Sequence, residues 1–257
     1  MYLVSMLDKY KSRNTFAYFY DLQLLKAQLK EWAHQCYIDI ISSGSIAKGT
    51  AVSLSSDVDY LISLTDTCEN SNGGLKACYD SLYFYLTKNY QNIRKQNVSI
   101  RINLRGLEVD ITPAKKQNGY QNYHSLYVSK SDTWTQTNIQ KHITDISKSG
   151  RTNEIKLLKI WRELHKLDFP SIYLEYLLVD KILLNKSTDI NNLNDNVWTV
   201  LKEFAKSESD NPLFSKITDP ANSNNILSDL LTNSEKYRII FQARDSIVKK
   251  DWGDIIW

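Results

Sequence analysis

The feature that most restricts the fold is a pair of consecutive segments in which apolar and polar residues alternate. Residues 98–104 and 107–112 both show this period of two, which is typical of strands with one buried face. Arg105 and Gly106 lie between them and predict a tight turn, so we expect the two strands to form a hairpin. We expect Pro113 to end the second strand, because proline cannot donate a hydrogen bond to a ladder.

The other hydrophobic patterns divide the chain into a mixed α/β half and a helical half. Before the hairpin they predict helix over roughly the first forty residues, with helical spacing from Leu22 to Cys36, and a second helix over 75–86. They also predict two strands, over 37–43 and 58–64. From Asn138 onward the pattern is helical. We therefore predict an α+β fold with two lobes, a mixed β-sheet with helices over 1–145 and an α-helical lobe over 146–257.

The composition is that of a globular chain with no apolar run near the ~20 residues of a membrane span. Hydrophobic residues make up 42% and charged residues 24%, and the formal net charge is only +3. This charge permits a polyanionic ligand but does not require one. Cys36, Cys68 and Cys78 are sparse and lack a C-x-x-C spacing, so we expect reduced thiols in a cytoplasmic protein.

Three aspartates stand out as candidate functional residues. Asp57 and Asp59 are two residues apart at the start of a predicted strand, so both carboxylates are expected on one face of the sheet. Asp110 lies on the polar face of the second hairpin strand. If the two strands are close neighbours, the three carboxylates converge and raise one another's pKa values. A hard divalent cation such as Mg²⁺ prefers oxygen ligands and would relieve that repulsion.

A glycine-serine pair, Gly44-Ser45, comes directly before these aspartates and follows a predicted strand. Glycine lets the backbone approach a phosphate closely, and backbone N–H groups and a hydroxyl can bind phosphate oxygens. An Asp-x-Asp pair alone is usually a solvated turn, and a Gly-Ser pair alone is weaker still. The ordered set of strand, Gly-Ser, Asp-x-Asp and a third aspartate is much more specific, and it predicts a site for a nucleoside triphosphate.

This ordered set resembles the nucleotidyltransferase superfamily that includes oligoadenylate synthases, bacterial cyclic-oligonucleotide synthases and archaeal CCA-adding enzymes. Gly44, Ser45, Asp57, Asp59 and Asp110 match the family pattern one by one. The resemblance implies that the three aspartates are catalytic and hold two Mg²⁺ or Mn²⁺ ions in the first lobe. It also implies that the helical lobe closes the nucleotide cleft.

The helical half adds to this resemblance through residues 157–162 and 171–175, which are similar to helices of the family's second lobe. In the family a lysine and a serine there bind the triphosphate. The resemblance therefore implies nucleotide-binding roles for Lys159 and Ser171, together with the Gly-Ser pair. The alternatives are an exposed helix lysine and a helix N-cap, since Ser171 directly follows Pro170.

The function that the resemblance implies is template-independent transfer of a nucleoside monophosphate from an NTP to a hydroxyl acceptor. We expect a short or cyclic oligonucleotide signal as the product, because the net charge is small and the long C-terminal tail of archaeal CCA-adding enzymes is missing. The enzyme alternative is nucleotide addition to an RNA 3′ end, such as that of transfer RNA, or to another acceptor hydroxyl. A nucleotide-binding pseudoenzyme is the other alternative, and the complete aspartate set argues against it. The sequence leaves the oligomeric state open.

Overall fold

The predicted hairpin is present in the computed structural model of the chain, which describes residues 2–55 and 57–257. Strands β4 (Ile100–Leu104) and β5 (Leu107–Lys116) pair antiparallel, with Leu104 opposite Leu107. The two turn residues, Arg105 and Gly106, have φ values of 51° and 92°. Positive φ at both positions is the geometry that matches the twist of hairpin strands.

Strand β5 continues past Pro113 to Lys116, so the expectation that this proline ends the strand is wrong. On one side β5 changes its neighbour, from β4 as far as Ile111 to β6 (His124–Val128) from Ala114 onward. Pro113 lies where this ladder is interrupted. A residue without an N–H donor is tolerated at such a break.

The hairpin belongs to a mixed sheet in which β5 has the most neighbours. The strand order is β1-β2-β5-β4-β3, and β6 joins β5 to β7. Strand β2 runs parallel to β5. Antiparallel pairing joins β1 to β2, β3 to β4, β4 to β5, β5 to β6 and β6 to β7. The remaining strands of this sheet are β1 (Tyr37–Ser43), β2 (Val58–Leu64), β3 (Arg94–Lys95) and β7 (Thr133–Thr137). The bounds predicted for β1 and β2 are confirmed, whereas β6 and β7 were not predicted.

Helices cover one face of this sheet with a continuous apolar layer. Helix α2 (Phe19–Ala33) contributes Leu25 and Leu29, and α4 (Leu75–Thr87) contributes Leu82 and Leu86, each with 0% exposure. These leucines pack with alternate residues of the strands in one core cluster. Burying each such side chain contributes about 1.5–3 kcal/mol. The same alternation sends the polar residues of β2 and β5 to the opposite face.

The chain divides into two compact units. The sheet unit comprises residues 13–48 and 57–143, and the helical unit comprises residues 2–12, 49–55 and 144–257. The short helix α3 (Gly44–Lys48) belongs to the sheet unit, and α5 (Ile139–Ser147) contains the passage from one unit to the other. The N-terminal helix and the segment 49–55 therefore group with the helical unit, although they precede most of the sheet in sequence.

The helical unit is built around a core that includes Trp161 and Tyr173, both with 0% exposure. Its elements are α1 (Tyr2–Lys9), α6 (Thr152–Leu164), α7 (Ser171–Leu177) with a π-helical turn (Leu178–Ile182), α8 (Leu193–Phe204), α9 (Asn233–Ile247) and the hairpin β8 (Thr218–Asp219) with β9 (Asn222–Ile226). Within residues 2–55 and 57–257, no helix combines the length and apolar character needed to cross a membrane.

Two cysteines of the sheet unit are joined, which corrects the expectation of reduced thiols. Cys36 and Cys68 form a disulfide with their Cα atoms 5.5 Å apart. Cys36 precedes β1 and Cys68 follows β2, and these antiparallel strands bring the two residues together at one end of the ladder. Cys78 is a buried thiol whose Sγ lies 3.8 Å from that of Cys68. Burial raises the pKa of the Cys78 thiol to about 11.

Candidate active site

Neighbouring parallel strands bring the predicted aspartates together. In the β2–β5 ladder Asp59 lies directly opposite Asp110. Residues opposite each other in a ladder point to the same face, so both carboxylates lie on the face away from α2 and α4. Asp57 comes immediately before β2 and is half-buried, as are the other two. The convergence that the spacing predicted is therefore confirmed at the level of the sheet.

The glycine-serine pair is positioned by β1, the other neighbour of β2. Ser43 at the end of β1 pairs with Asp59, so Gly44 follows directly beside that carboxylate. A Cβ built on Gly44 would lie 1.8 Å from Asp59 Oδ2, and Gly44 has a φ of 64°. Position 44 therefore requires glycine on two grounds, a left-handed backbone and close contact with Asp59. Ser45 is half-buried in the first turn of α3.

An arginine that we did not predict is part of this site. Arg101 lies opposite Asp110 in the β4–β5 ladder and donates to both of its oxygens, at 2.8 Å from Nε and 2.7 Å from Nη2. Nη2 also donates to Asp57 Oδ2 at 2.6 Å, and Nη1 to Glu108 Oε2 at 2.5 Å. The sequence contained the signal for it, since a two-residue turn at Arg105-Gly106 sets Arg101 opposite Asp110 by counting.

Two of the carboxylates, those of Asp57 and Asp59, have raised pKa values. Burial is the main cause that raises the pKa of Asp59 to about 7, and the charges of Asp110 and Asp57 add to it. Burial also raises the pKa of Asp57, although the positive charge of Arg101 opposes that shift. Hydrogen bonding to Asp110 is the main cause that raises the pKa of Arg101. Proximity of like charges in a partly desolvated site thus favours binding of an added cation.

The donor atoms of the three aspartates are all oxygens, the ligand type that a hard divalent cation prefers. Over residues 2–55 and 57–257, no three histidine, cysteine, aspartate or glutamate side chains are arranged to hold a metal ion. The guanidinium of Arg101 instead contacts both Asp57 and Asp110. Nη2 of Arg101 thus supplies a positive charge to two of the three carboxylates.

Of the two nucleotide-binding residues predicted in the helical unit, Lys159 lies in its interior and Ser171 is half-buried. Lys159 has 2% exposure and donates to Glu175 Oε1 at 2.8 Å and to Thr50 Oγ1 at 2.9 Å. Glu175 has 0% side-chain exposure, so this is a buried ion pair. The interpretation of Lys159 as an exposed helix lysine is therefore wrong, and its nucleotide-binding role stays a prediction.

Ser171 lies at the first position of α7 and does not cap it. The N-cap is Pro170, which makes no side-chain cap hydrogen bond, so the N-cap interpretation of Ser171 is wrong. Arg162 Nη1 donates to Ser171 Oγ at 3.1 Å. The hydroxyl is thus held beside a cationic side chain, and its nucleotide-binding role also stays a prediction.

Comparison with known proteins identifies the family. A family model described as Second Messenger Oligonucleotide or Dinucleotide Synthetase domain matches residues 20–149, just over half of the chain. The chain is 26% identical over 240 residues to cyclic AMP-AMP-AMP synthase from Escherichia coli (strain MS 115-1). This match covers 80% of this chain and 74% of that protein.

Two solved structures have a similar fold. E. coli MS115-1 CdnC with ATP superposes with a TM-score of 0.71 at 21% identity, covering 95% of this chain and 88% of that one. The Bradyrhizobium diazoefficiens CD-NTase CdnG in complex with GTP gives a TM-score of 0.70 at 10% identity, covering 97% and 93%. The predicted fold class is therefore confirmed. The chain belongs to the Second Messenger Oligonucleotide or Dinucleotide Synthetase family and is a nucleotidyltransferase.

Proposed function

We propose that this enzyme transfers nucleoside monophosphates from NTPs to the hydroxyl groups of other nucleotides and so makes a cyclic oligonucleotide. The observation that carries the proposal is the adjacency of Asp59 and Asp110 on neighbouring strands, with Gly44 against Asp59. The site combines carboxylates with a glycine whose backbone a phosphate can approach closely, an arrangement that suits a triphosphate bound through cations. The name of the E. coli relative, cyclic AMP-AMP-AMP synthase, supports a cyclic product.

The residues that would hold two Mg²⁺ or Mn²⁺ ions are Asp57, Asp59 and Asp110. When bound, such ions neutralise phosphate charge and lower the pKa of the attacking hydroxyl. Asp57 and Asp59 would bind both ions, and Asp110 would bind the ion that activates the acceptor hydroxyl. The backbone of Gly44 and the hydroxyl of Ser45 would bind phosphate oxygens next to Asp59.

In the reaction the acceptor hydroxyl oxygen attacks the α-phosphorus, the bond from that phosphorus to the bridging oxygen breaks, and pyrophosphate leaves. The hydroxyl proton leaves towards solvent or a nearby carboxylate. Lys159 and Ser171 remain proposed ligands of the triphosphate. For Lys159 this role requires its ammonium group to exchange Glu175 for a phosphate, because the pair is closed in this structure.

The test is to incubate the pure full chain with labelled NTPs and Mg²⁺ or Mn²⁺, with and without transfer RNA. We expect small soluble products from NTPs alone, resistant to phosphatase if they are cyclic. Their formation should depend only weakly on salt, because few phosphates are bound and few counterions are released. Strict dependence on RNA, with label at its 3′ end and a steep loss with salt, would instead assign the enzyme to RNA tailing.

A further inference from the structure

Arg101 makes more contacts with the acidic site than a surface ion pair would. Its guanidinium uses Nε, Nη1 and Nη2 to contact three carboxylates, those of Asp57, Glu108 and Asp110. The side chain is 23% exposed and that of Asp110 is 15% exposed, so solvent screens these bonds only in part. Charge-assisted bidentate pairing of this kind is the stronger class of hydrogen bond.

The oxygens that Arg101 contacts are those a metal ion would need. Nη2 lies 2.6 Å from Asp57 Oδ2 and 2.7 Å from Asp110 Oδ2, so one nitrogen sits where two of the proposed ligands meet. A divalent cation cannot share that position with a positively charged donor, because the two repel each other strongly at contact distance. Metal binding therefore requires the guanidinium to move.

Glu108 provides a position to which the guanidinium can withdraw. It lies on the same face of β5, two residues before Asp110, and accepts from Nη1. Its side chain is 38% exposed, more than those of Asp57 and Asp110, so this contact is on the solvent side of the cluster. Arg101 can release Asp57 and Asp110 and keep Glu108 as its partner.

We propose that Arg101 is a positioning residue that holds the carboxylates together before metal binds and competes with the metal for Asp57 and Asp110. It thereby sets the metal concentration that the enzyme needs. This inference rests on the metal-binding role proposed above for the aspartates. It predicts that removing the guanidinium increases metal affinity, whereas an arginine that only maintained the shape of the site would, on removal, weaken it.

The first measurement is metal affinity. The metal-free full chain is titrated with Mn²⁺, free Mn²⁺ being followed by electron paramagnetic resonance, for wild type, Arg101→Gln, Arg105→Gln and Asp57→Asn. We expect Arg101→Gln to lower the dissociation constant by on the order of tenfold or more. Arg105→Gln is the matched control, because Arg105 lies in the same hairpin and pairs with Asp21 away from the site. It should leave the constant unchanged.

The second measurement is thermal stability with and without metal. Arg101→Gln should unfold at a lower temperature than wild type in EDTA, because the carboxylates lose their cation, and saturating Mg²⁺ should restore most of the loss. The rise on adding Mg²⁺ should be larger than that of wild type. A stability loss that Mg²⁺ does not restore indicates a merely structural role and overturns the inference.

The outcomes separate the two proposals. If Asp57→Asn binds Mn²⁺ as tightly as wild type, the proposed metal role of the aspartates fails. If Asp57→Asn loses affinity and Arg101→Gln has an unchanged or weaker affinity, the metal role stands and the competition by Arg101 is wrong.

Discussion

The carboxylate of Asp59 packs so closely against the α-carbon of Gly44 that a methyl group at position 44 would have no room. A Cβ at position 44 would lie 1.8 Å from Asp59 Oδ2 and 2.4 Å from its Cγ. Gly44→Ala must therefore displace the carboxylate, and we expect nucleotidyl transfer to fall to background. The measurement is the steady-state rate with NTP and Mg²⁺, together with Mn²⁺ affinity.

Gly49→Ala is the matched control for that variant. Gly49 also has a positive φ, 73° against 64°, but among the described residues other than its chain neighbours no atom lies within 4 Å of an added Cβ. Both variants should lose about 1–2 kcal/mol of stability from the left-handed backbone. Only Gly44→Ala should lose activity, and equal activity losses in the two would show that backbone strain alone is responsible.

Asp57→Asn and Asp59→Asn should each abolish transfer while leaving the chain folded. Each removes a charge that would hold metal, and neither removes an apolar group from the core. Asp80→Asn, at a partly exposed pair with Lys95, is the control and should keep full activity. An Asp57→Asn enzyme with wild-type turnover is incompatible with the proposed mechanism.

In the metal-free protein, the raised pKa of Asp59 should make the free energy of unfolding depend on pH. Its pKa is raised to about 7, whereas an aspartate in an unfolded chain titrates near about 3.9. Between these values the folded state holds a proton that the unfolded state has lost. The free energy of unfolding should therefore fall as pH rises through this window.

Urea unfolding in EDTA across this pH range measures that slope. Asp59→Asn should reduce it, because the titrating group is gone, and the Asp80→Asn control should keep it. Saturating Mg²⁺ should also flatten the slope in wild type, because the metal replaces the proton. The same slope in wild type and Asp59→Asn would contradict the assignment.

Lys159→Ala should destabilise the helical unit by about 3–5 kcal/mol, because it removes one partner of the buried ion pair with Glu175. Lys156→Ala, on the same helix, is the control and should change stability little. Thermal or urea unfolding gives both values. A change below about 1 kcal/mol would show that the pair is not a major support of this unit.

The double variant Lys159→Met, Glu175→Gln separates stability from nucleotide binding. Removing both charges should recover most of the lost stability. If the refolded double variant still has a much higher KM for NTP, Lys159 contacts the triphosphate as the family resemblance implies. An unchanged KM would limit Lys159 to the interior of the helical unit.

Strand β5, which carries Asp110, could be predicted because apolar and polar residues alternate along it. Alternation predicted β4, β5 and the turn at Arg105-Gly106, and the Asp-x-Asp spacing at the start of β2 indicated a shared face. The extension of β5 past Pro113 could not be predicted, because it depends on the exchange of β4 for β6 at that point. Strands β6 and β7 were missed because they lack strict alternation.

Side-chain contacts between residues far apart in the sequence could not be predicted, because they depend on how strands and helices pair in the fold. The disulfide joins residues 32 positions apart, and only the β1–β2 pairing shows that they meet. The sequence left Lys159 as a nucleotide ligand or an exposed helix lysine, and only the packing of α7 shows its buried partner Glu175. Arg101 is different, because counting back from the predicted turn places it opposite Asp110.

Arg101 and Asp59, the residues opposite Asp110 in the two neighbouring strands, differ in their separation from it along the chain. Arg101 reaches it across a two-residue turn, and local hairpins of this kind form within about 1–10 μs. Asp59 comes next to Asp110 only when β2 pairs in parallel with β5. Helix α4 and strands β3 and β4 lie between these two strands in the sequence, so a long loop must close, and its closure is slower. We therefore expect the arginine to be in place on Asp110 before Asp59 arrives. The counter-charge is then present during folding at the moment when the acidic strands are first brought side by side.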